Sequence, residues 1–510
     1  MNITNIISAV CAIGITGIVF LGEAAGRRPV EKPGAEYAVV AETAAECRIA
    51  PHPSKLHFDS LDWKVPLGDP YRTQLASGVI AYVAADSSLP LINISAHIRS
   101  GSLSDPNGKE GLGALMARLL RTGGTAQYSA EALDSVIDLY AMKFSFSQAE
   151  AHIAFSAAFL YEYADTAMNI MKQMFFEPAF QPERIERERS IMTENIRHRF
   201  ANPGPTLSVA YRRHNYAGSA PARLSTEASL KAITRKDLTA LHETAFGSDI
   251  IIAVSGKFDR DDMIARLNNI FGTEERPRQN APFSEMEIAV APQVRALVVH
   301  REINQAYVRM GLPLFMRPHE DFYAVSLLAY ILGGGGFNSR LVTRVRSDEG
   351  LTYSIHSQAE SNYTYPGTLY IEFFTGVESY PRAVSIILEE LDKVIKDGVT
   401  EEELENARTA LIAQLPSSFR SPEDIVSTYA WSEFYGREPD HYAIYPDELR
   451  KLTTGDLKNA ARKYIDVDKI AYTIVGDTAA IKAAEATSSE FFTLESLGSK
   501  LVVTVDELIK

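Results

Sequence analysis

The chain is predicted to be an α+β protein of two homologous domains, each a mainly antiparallel sheet with helices packed on one face. Three observations predict this. First, the sequence repeats itself in order: "ITRKDL" at Ile233 to Leu238 is echoed by "LTTGDL" at Leu452 to Leu457, and the strand-like "IIIAVSGKFD" from Ile250 by "IAYTIVGDTA" from Ile470, both at an offset of about 220 residues. Second, a strand running into glycine precedes a helix in each half, "INISAHIRSG" before Leu112 to Leu120 and "QAYVRMGLP" before Asp321 to Leu332. Third, Ile92, Ile94, Ala96 and Ile98 alternate with polar residues, the pattern of a sheet with one covered face. Strands and helices in this order suit α+β layers better than a doubly wound parallel sheet.

The length of 510 residues exceeds one ordinary core and allows two to four domains. Residues 1–26, "MNITNIISAVCAIGITGIVFLGEAAG", are expected to be a signal peptide or membrane anchor. The apolar run Ile6 to Leu21 is roughly 16 residues, short of the ~20 that cross a bilayer, and small residues then suit cleavage after Ala24 or Gly26. No Lys or Arg precedes it and Arg27 and Arg28 follow, so an uncleaved anchor or a misassigned start stays open beside a cleaved leader. The protein is therefore expected to be exported and periplasmic, with membrane attachment if the segment is retained. Residues 27–60, with Pro29, Pro33, Pro51 and Pro53, read as a linker or arm. A first domain is expected over 61–275, a Pro-rich and polar interdomain linker over 276–293, and a second domain over 294–510.

With 46% hydrophobic and 23% charged residues the composition is globular, and a net charge of -14 offers no basic stripe for nucleic acid. Cys11 and Cys47 are the only cysteines, so a chain cleaved after the leader forms no internal disulfide.

The residues themselves form no recognisable catalytic centre. The run "LGGGGFNSRL", Leu332 to Leu341, could cradle an anion, but a phosphate loop opens a helix, whereas these glycines follow the helical stripe Phe322, Val325, Leu328 and Ile331. They are read as ending a helix, either as a flexible cap or as a mobile loop touching substrate. A zinc peptidase helix needs two histidines one turn apart with a glutamate beside them, and none of the eleven histidines supplies this; "HETAF" at His242 and "HEDFY" at His319 lack the second ligand. No GxSxG elbow is present.

Three segments, "IRSGSLSDPNGKEGLGALMARLLRTGGT", "ERERSIMTENI" and "LGGGGFNSRLVTRVRSDEGLTYSIHS", together resemble the pitrilysin/insulinase family, and within it the two-chain bacterial branch related to mitochondrial processing peptidase. In that family the helix after "GL" carries an inverted zinc motif, HxxEH, with a distal glutamate ligand roughly 76 residues further on. The resemblance places these positions on Ala114, Ala117, Arg118 and Asn195, the last beside Glu194, so that all four are replaced. Alanine cannot ligate, and an arginine is a permanent cation where a dication would sit. The apolar stripe Leu112, Leu115, Met116, Leu119 and Leu120 is kept, opposite Ala114, Ala117, Arg118 and Arg121.

The resemblance further implies that Arg346 and Tyr353, in "RVRSDEGLTY", hold peptide and a tetrahedral intermediate at a partner's zinc, as the Arg/Tyr pair of zinc-lacking family members does, and that Gly333, Gly334, Gly335 and Gly336 touch substrate. Without the family, Arg346 would read as paired with Asp348 or Glu349 and Tyr353 as half-buried in a strand. The implied function is that of a metal-free subunit of a heterodimeric zinc peptidase, without cofactor of its own and with no independent activity. Zinc would sit in an HxxEH-bearing sister subunit, and a peptide would be the substrate. The alternative is a noncatalytic scaffold similar to peptidase-derived core subunits of respiratory complexes.

Overall fold

The structure is a computed structural model in which the described residues are 56, 63–247, 249–272, 288–488 and 490–509. The expected leader or anchor at 1–26, the arm at 27–60 apart from residue 56, and residues 276–287 of the expected linker lie outside the described residues. Among those that are described, no helix is long and apolar enough to cross a membrane.

The first half runs β1 (Arg72–Gln74), β2 (Ile80–Ala85), β3 (Leu91–Ile98), α1 (Leu112–Thr122), α2 (Ala130–Leu139), β4 (Lys143–Gln148), β5 (Ile153–Leu160), α3 (Ala164–Phe176), α4 (Pro182–Arg197), α5 (Pro203–Asn215), α6 (Glu227–Ala232), α7 (Arg235–Phe246), β6 (Ile250–Gly256) and α8 (Arg260–Phe271). The second runs β7 (Ala296–His300), β8 (Gln305–Pro313), α9 (Phe322–Ala329), β9 (Thr352–Glu360), β10 (Thr368–Gly376), α10 (Tyr380–Asp397), α11 (Glu401–Gln414), α12 (Pro422–Phe434), α13 (His441–Lys451), α14 (Thr454–Tyr464), β11 (Ala471–Gly476), α15 (Thr478–Thr487), β12 (Lys500–Thr504) and α16 (Val505–Ile509).

Each half builds one six-stranded sheet, ordered β1-β2-β6-β3-β5-β4 and β12-β7-β11-β8-β10-β9. Most pairs are antiparallel; β2 with β6, and β7 with both β11 and β12, are parallel. Laid one on the other, the two orders match β2 to β7, β6 to β11, β3 to β8, β5 to β10 and β4 to β9. The repeat continues into individual hydrogen bonds. "ITRKDL" and "LTTGDL" are the capping boxes Thr234/Asp237 and Thr453/Asp456 that start α7 and α14. Asp259 and Asp477 cap α8 and α15 at the ends of the two glycine-terminated strands. Arg189 on α4 donates to the carbonyls of Leu230 and Ile233, and Arg408 on α11 donates to those of Leu449 and Leu452 at the same offset.

Inward-facing residues of each sheet meet the helices of the same half. Ile92, Ile94, Ala96 and Ile98 of β3 pack in one cluster with α1 and α3, and Ala306, Val308, Met310 and Leu312 of β8 in another with α9 and α10. The opposite faces are covered by an exchange. α12 of the second half lies on the first sheet, where Val426, Tyr429 and Phe434 meet Ile80, Tyr82, Ile251 and Ala253. α5 of the first half lies on the second sheet, Leu207, Val209 and Ala210 against Leu297, Val299 and Val475. The strand β6, apolar at both parities, requires cover on both sides. The layer expected on one face is thus joined by a second layer that the other half donates.

Candidate functional site

The helix α1 starts at Gly111, whose φ of 98° lies in the left-handed region where a side chain is strained. Glycine has no capping oxygen, and the buried Asp105 supplies one from the preceding loop, accepting from the Gly111 amide at 2.8 Å and the Gly113 amide at 3.1 Å. Burial pushes the Asp105 carboxyl up, against the lowering effect of those amide bonds.

On α1, Ala114 is half-buried and Ala117 is only 1% exposed. The expectation that Ala117 shares an outward stripe with the arginines is therefore corrected: the helix packs against β4 on one side and α4 on another, which closes over that position. Arg118 donates from Nε to Oε2 of Glu188 at 2.7 Å, and Glu188, on α4, is 3% exposed. Arg121 pairs with Asp134 of α2 at 2.6 Å. Asn195 lies about two turns beyond Glu188 on α4 and is exposed, and its neighbour Glu194 is engaged by Arg197 at 3.5 Å and His198 at 2.8 Å. Glu188, unmarked in the sequence, is thus the α4 acid that reaches α1. Among the described residues no group of three His, Cys, Asp or Glu is placed to hold a metal ion.

In the second half α9 stands where the first half has α1, and the glycine-rich segment follows it, between β8 and β9. α9 ends at Ala329, and the chain widens over Tyr330 to Gly334 before a short turn at Gly336 to Asn338. Gly333 is buried, and a Cβ there would lie 2.5 Å from the Ser357 amide nitrogen of β9, so it is needed for close packing. Gly334, Gly335 and Gly336 reach the surface, Gly336 with a φ of 62°. The loop carries Phe337 out to 68% exposure.

Arg346 and Tyr353 meet beside this loop. The Arg346 guanidinium carbon lies 4.7 Å from the Tyr353 ring centroid and 4.6 Å from that of Phe337, a cation held between two exposed rings. Tyr353, 76% exposed, stands near the start of β9, the edge strand of its sheet. Asp348 and Glu349 belong to other arginines: Arg344 reaches Asp348 at 3.4 Å, Glu349 at 3.7 Å and Glu390 at 3.5 Å, and Arg382 donates to Glu349. Among the described residues Arg346 has no carboxylate partner, and neither the paired arginine nor the half-buried tyrosine of the family-free reading is found. Phe337 is the residue sequence reasoning missed; its place after four glycines was visible, its exposure was not.

A helix α1 without metal donors and an exposed arginine–tyrosine edge, on paired six-stranded sheets, define a peptidase-like protein with no metal-holding group among the described residues. Comparison with known proteins agrees. Residues 83–225 match the insulinase (peptidase family M16) model, and residues 232–411 match the M16 inactive domain. The chain belongs to the insulinase family, M16. It is 22% identical over 382 residues to the non-peptidase homolog YmxG of Helicobacter pylori, covering 74% of this chain and 87% of that one. It is 24% identical to the uncharacterized zinc protease YmxG of Bacillus subtilis, over 69% of this chain and 85% of that one. Its fold matches the M16 inactive domain from Pseudomonas fluorescens, with a TM-score of 0.69 and 23% identity over 80% of this chain and 98% of that one. It also matches the periplasmic protease PqqL of Escherichia coli, with a TM-score of 0.67 and 15% identity over 94% of this chain and 51% of PqqL. Zinc, which the family implies, does not fit here: two alanines offer no donor, and a guanidinium already satisfies Glu188.

Proposed function

We propose that this chain is the metal-free subunit of an exported, periplasmic, heterodimeric zinc peptidase. It binds an extended peptide and steadies the transition state at the zinc of an HxxEH-bearing sister subunit. The observation that carries this reading is the Arg346–Tyr353 pair, a guanidinium without a carboxylate partner among the described residues, stacked on an exposed phenol of the edge strand. Stacking between Phe337 and Tyr353 limits the freedom the guanidinium loses on gripping a peptide carbonyl or carboxylate. The phenol is of the type that donates to a developing oxyanion. PqqL, named a periplasmic protease, is about twice the length this chain spans, which suits two such units working as a pair.

The test is co-expression with an HxxEH-bearing sister, purification through a tag on this chain, and assay of zinc and peptide cleavage together. One zinc per pair, with cleavage that neither chain shows alone, is the expected result. A chain that copurifies with no sister and lends it no activity is a scaffold instead, and cleavage by this chain alone overturns the reading of α1 as metal-free.

A further inference from the structure

A second basic site lies at the far end of the β9–β10 hairpin from Tyr353. Tyr353 stands near the start of β9 and Tyr363 beyond its end, roughly 30 Å apart along the strand at ~3.3 Å per residue. There, three connections meet around a cavity of about 340 Å³: Arg317 between β8 and α9, Tyr363 between β9 and β10, and Arg437 between α12 and α13. Such a volume is enough for a small organic molecule.

The Arg317 guanidinium carbon lies 3.6 Å from the Phe322 ring centroid and 4.5 Å from that of Tyr363. Arg437 stands 4.9 Å from the same Tyr363 ring and donates through Nη1 to the Tyr442 hydroxyl at 2.7 Å. Its Nε is buried without an acceptor. Glu320 and Glu438 also line the cavity, but both are exposed and neither forms an ion pair with these arginines. By contrast, the half-buried Arg340 and Arg309 each have a carboxylate, Glu403 and Glu372. Burial pulls Arg317 down to about 10, Arg437 adding its repulsion, and burial followed by the two guanidiniums pulls His441 down to about 4. At neutral pH the site therefore presents two positive charges and a neutral imidazole. Two partly buried like charges facing one ring are unfavourable unless an anion joins them.

We propose that this cavity binds an organic carboxylate with an aromatic or apolar body. The carboxylate is held between the forks of Arg317 and Arg437, and the body rests on Tyr323, Tyr363 and Ile444. The chemistry is shared by a free aromatic acid and by the C-terminal residue of a peptide.

Calorimetric titration of the full chain tests it with N-acetylphenylalanine, its C-terminal amide, and the tetrapeptide Ala-Ala-Ala-Phe. Saturable binding of the acid but not of the amide is expected, weakened tenfold or more in Arg317→Met and in Arg437→Met, with Arg317→Lys between. Tighter binding of the tetrapeptide assigns the site to peptide ends, and binding of the free acid alone assigns it to small molecules. Because each Met variant removes one of two repelling charges, its melting temperature without ligand is expected to equal or exceed that of the parent. Binding of neither acid, equal binding of the amide, unchanged binding in both Met variants, or a melting temperature several degrees lower would overturn the proposal.

Discussion

Arg118 and Glu188 form the ion pair that joins α1 to α4, with Nε 2.7 Å from Oε2 and the acid's side chain 4% exposed. A cation fixed in the chain serves there as counter-charge to a buried acid. Removing only the cation strands that acid. Arg118→Ala is expected to cost about 2 kcal/mol in urea unfolding, below the ~3–5 of a fully buried pair because Arg118 is 38% exposed. Arg118→Met combined with Glu188→Leu should recover most of the loss. A change under about 0.5 kcal/mol in the single variant means that water already serves Glu188.

Tyr353→Phe keeps the ring that stacks on Arg346 and removes only the hydroxyl. In the complex with a zinc-bearing sister, turnover is expected to fall on the order of 100-fold with assembly intact, the scale of losing one oxyanion donor. Turnover equal to the parent's removes the phenol from the chemistry and leaves Tyr353 as a stacking partner.

Acid is expected to loosen the contact between α12 and the first sheet. His97 and His152, with rings 5.3 Å apart, pack on Trp431 of α12 at 4.6 and 4.8 Å. Each has a buried Nδ1 with no partner, and the cation Arg99 lies nearby over Phe434. Burial lowers His97 to about 3, with the charge of His152 second, and burial lowers His152 to about 4. Both therefore bind protons more readily unfolded than folded. Their contribution is full above the ordinary value of 6.5 and is lost as pH falls toward 3–4, at about 1.4 kcal/mol per pH unit for each histidine. Urea midpoints measured from pH 7 to 4 should show this slope, and His97→Phe should flatten it; equal slopes would show that the histidines remain hydrated.

The exchanged helices should make the two sheets unfold together. Phe434 is 1% exposed in the cluster between α12 and the first sheet, and Phe434→Ala is expected to cost ~3–5 kcal/mol. Trp63 and Trp431, the only tryptophans, both touch this region through Phe419 and Phe434. Tryptophan fluorescence and far-ultraviolet dichroism should therefore give one coincident melt, lowered in the variant. Separate transitions would mean that each sheet stands without its borrowed helix.

Much of the fold was legible because the repeat is written in capping residues and strand ends, which are local signals. Thr234, Asp237, Asp259 and their counterparts Thr453, Asp456 and Asp477 act on backbone within a few residues of themselves. The exchange of α5 and α12 was not legible. Each reads as a helix of its own half, and its partner sheet is set by contacts such as Tyr429 with Tyr82, whose rings are 6.3 Å apart across hundreds of residues.

The site divides in the same way. The sequence by itself determined that Ala114, Ala117 and Arg118 bring no histidine or carboxylate to α1, because donor chemistry is written in residue type, and it marked Arg346 and Tyr353 through the resemblance. Only the tertiary structure decided that Arg118 is satisfied by Glu188 while Arg346 is left with no acid among the described residues, since Arg344 takes Asp348, Arg382 takes Glu349, and the glycine loop delivers Phe337 instead. The reason is physical: which charges are neutralised and which stay available depends on distances of a few ångströms between elements remote in sequence, and no local pattern encodes those.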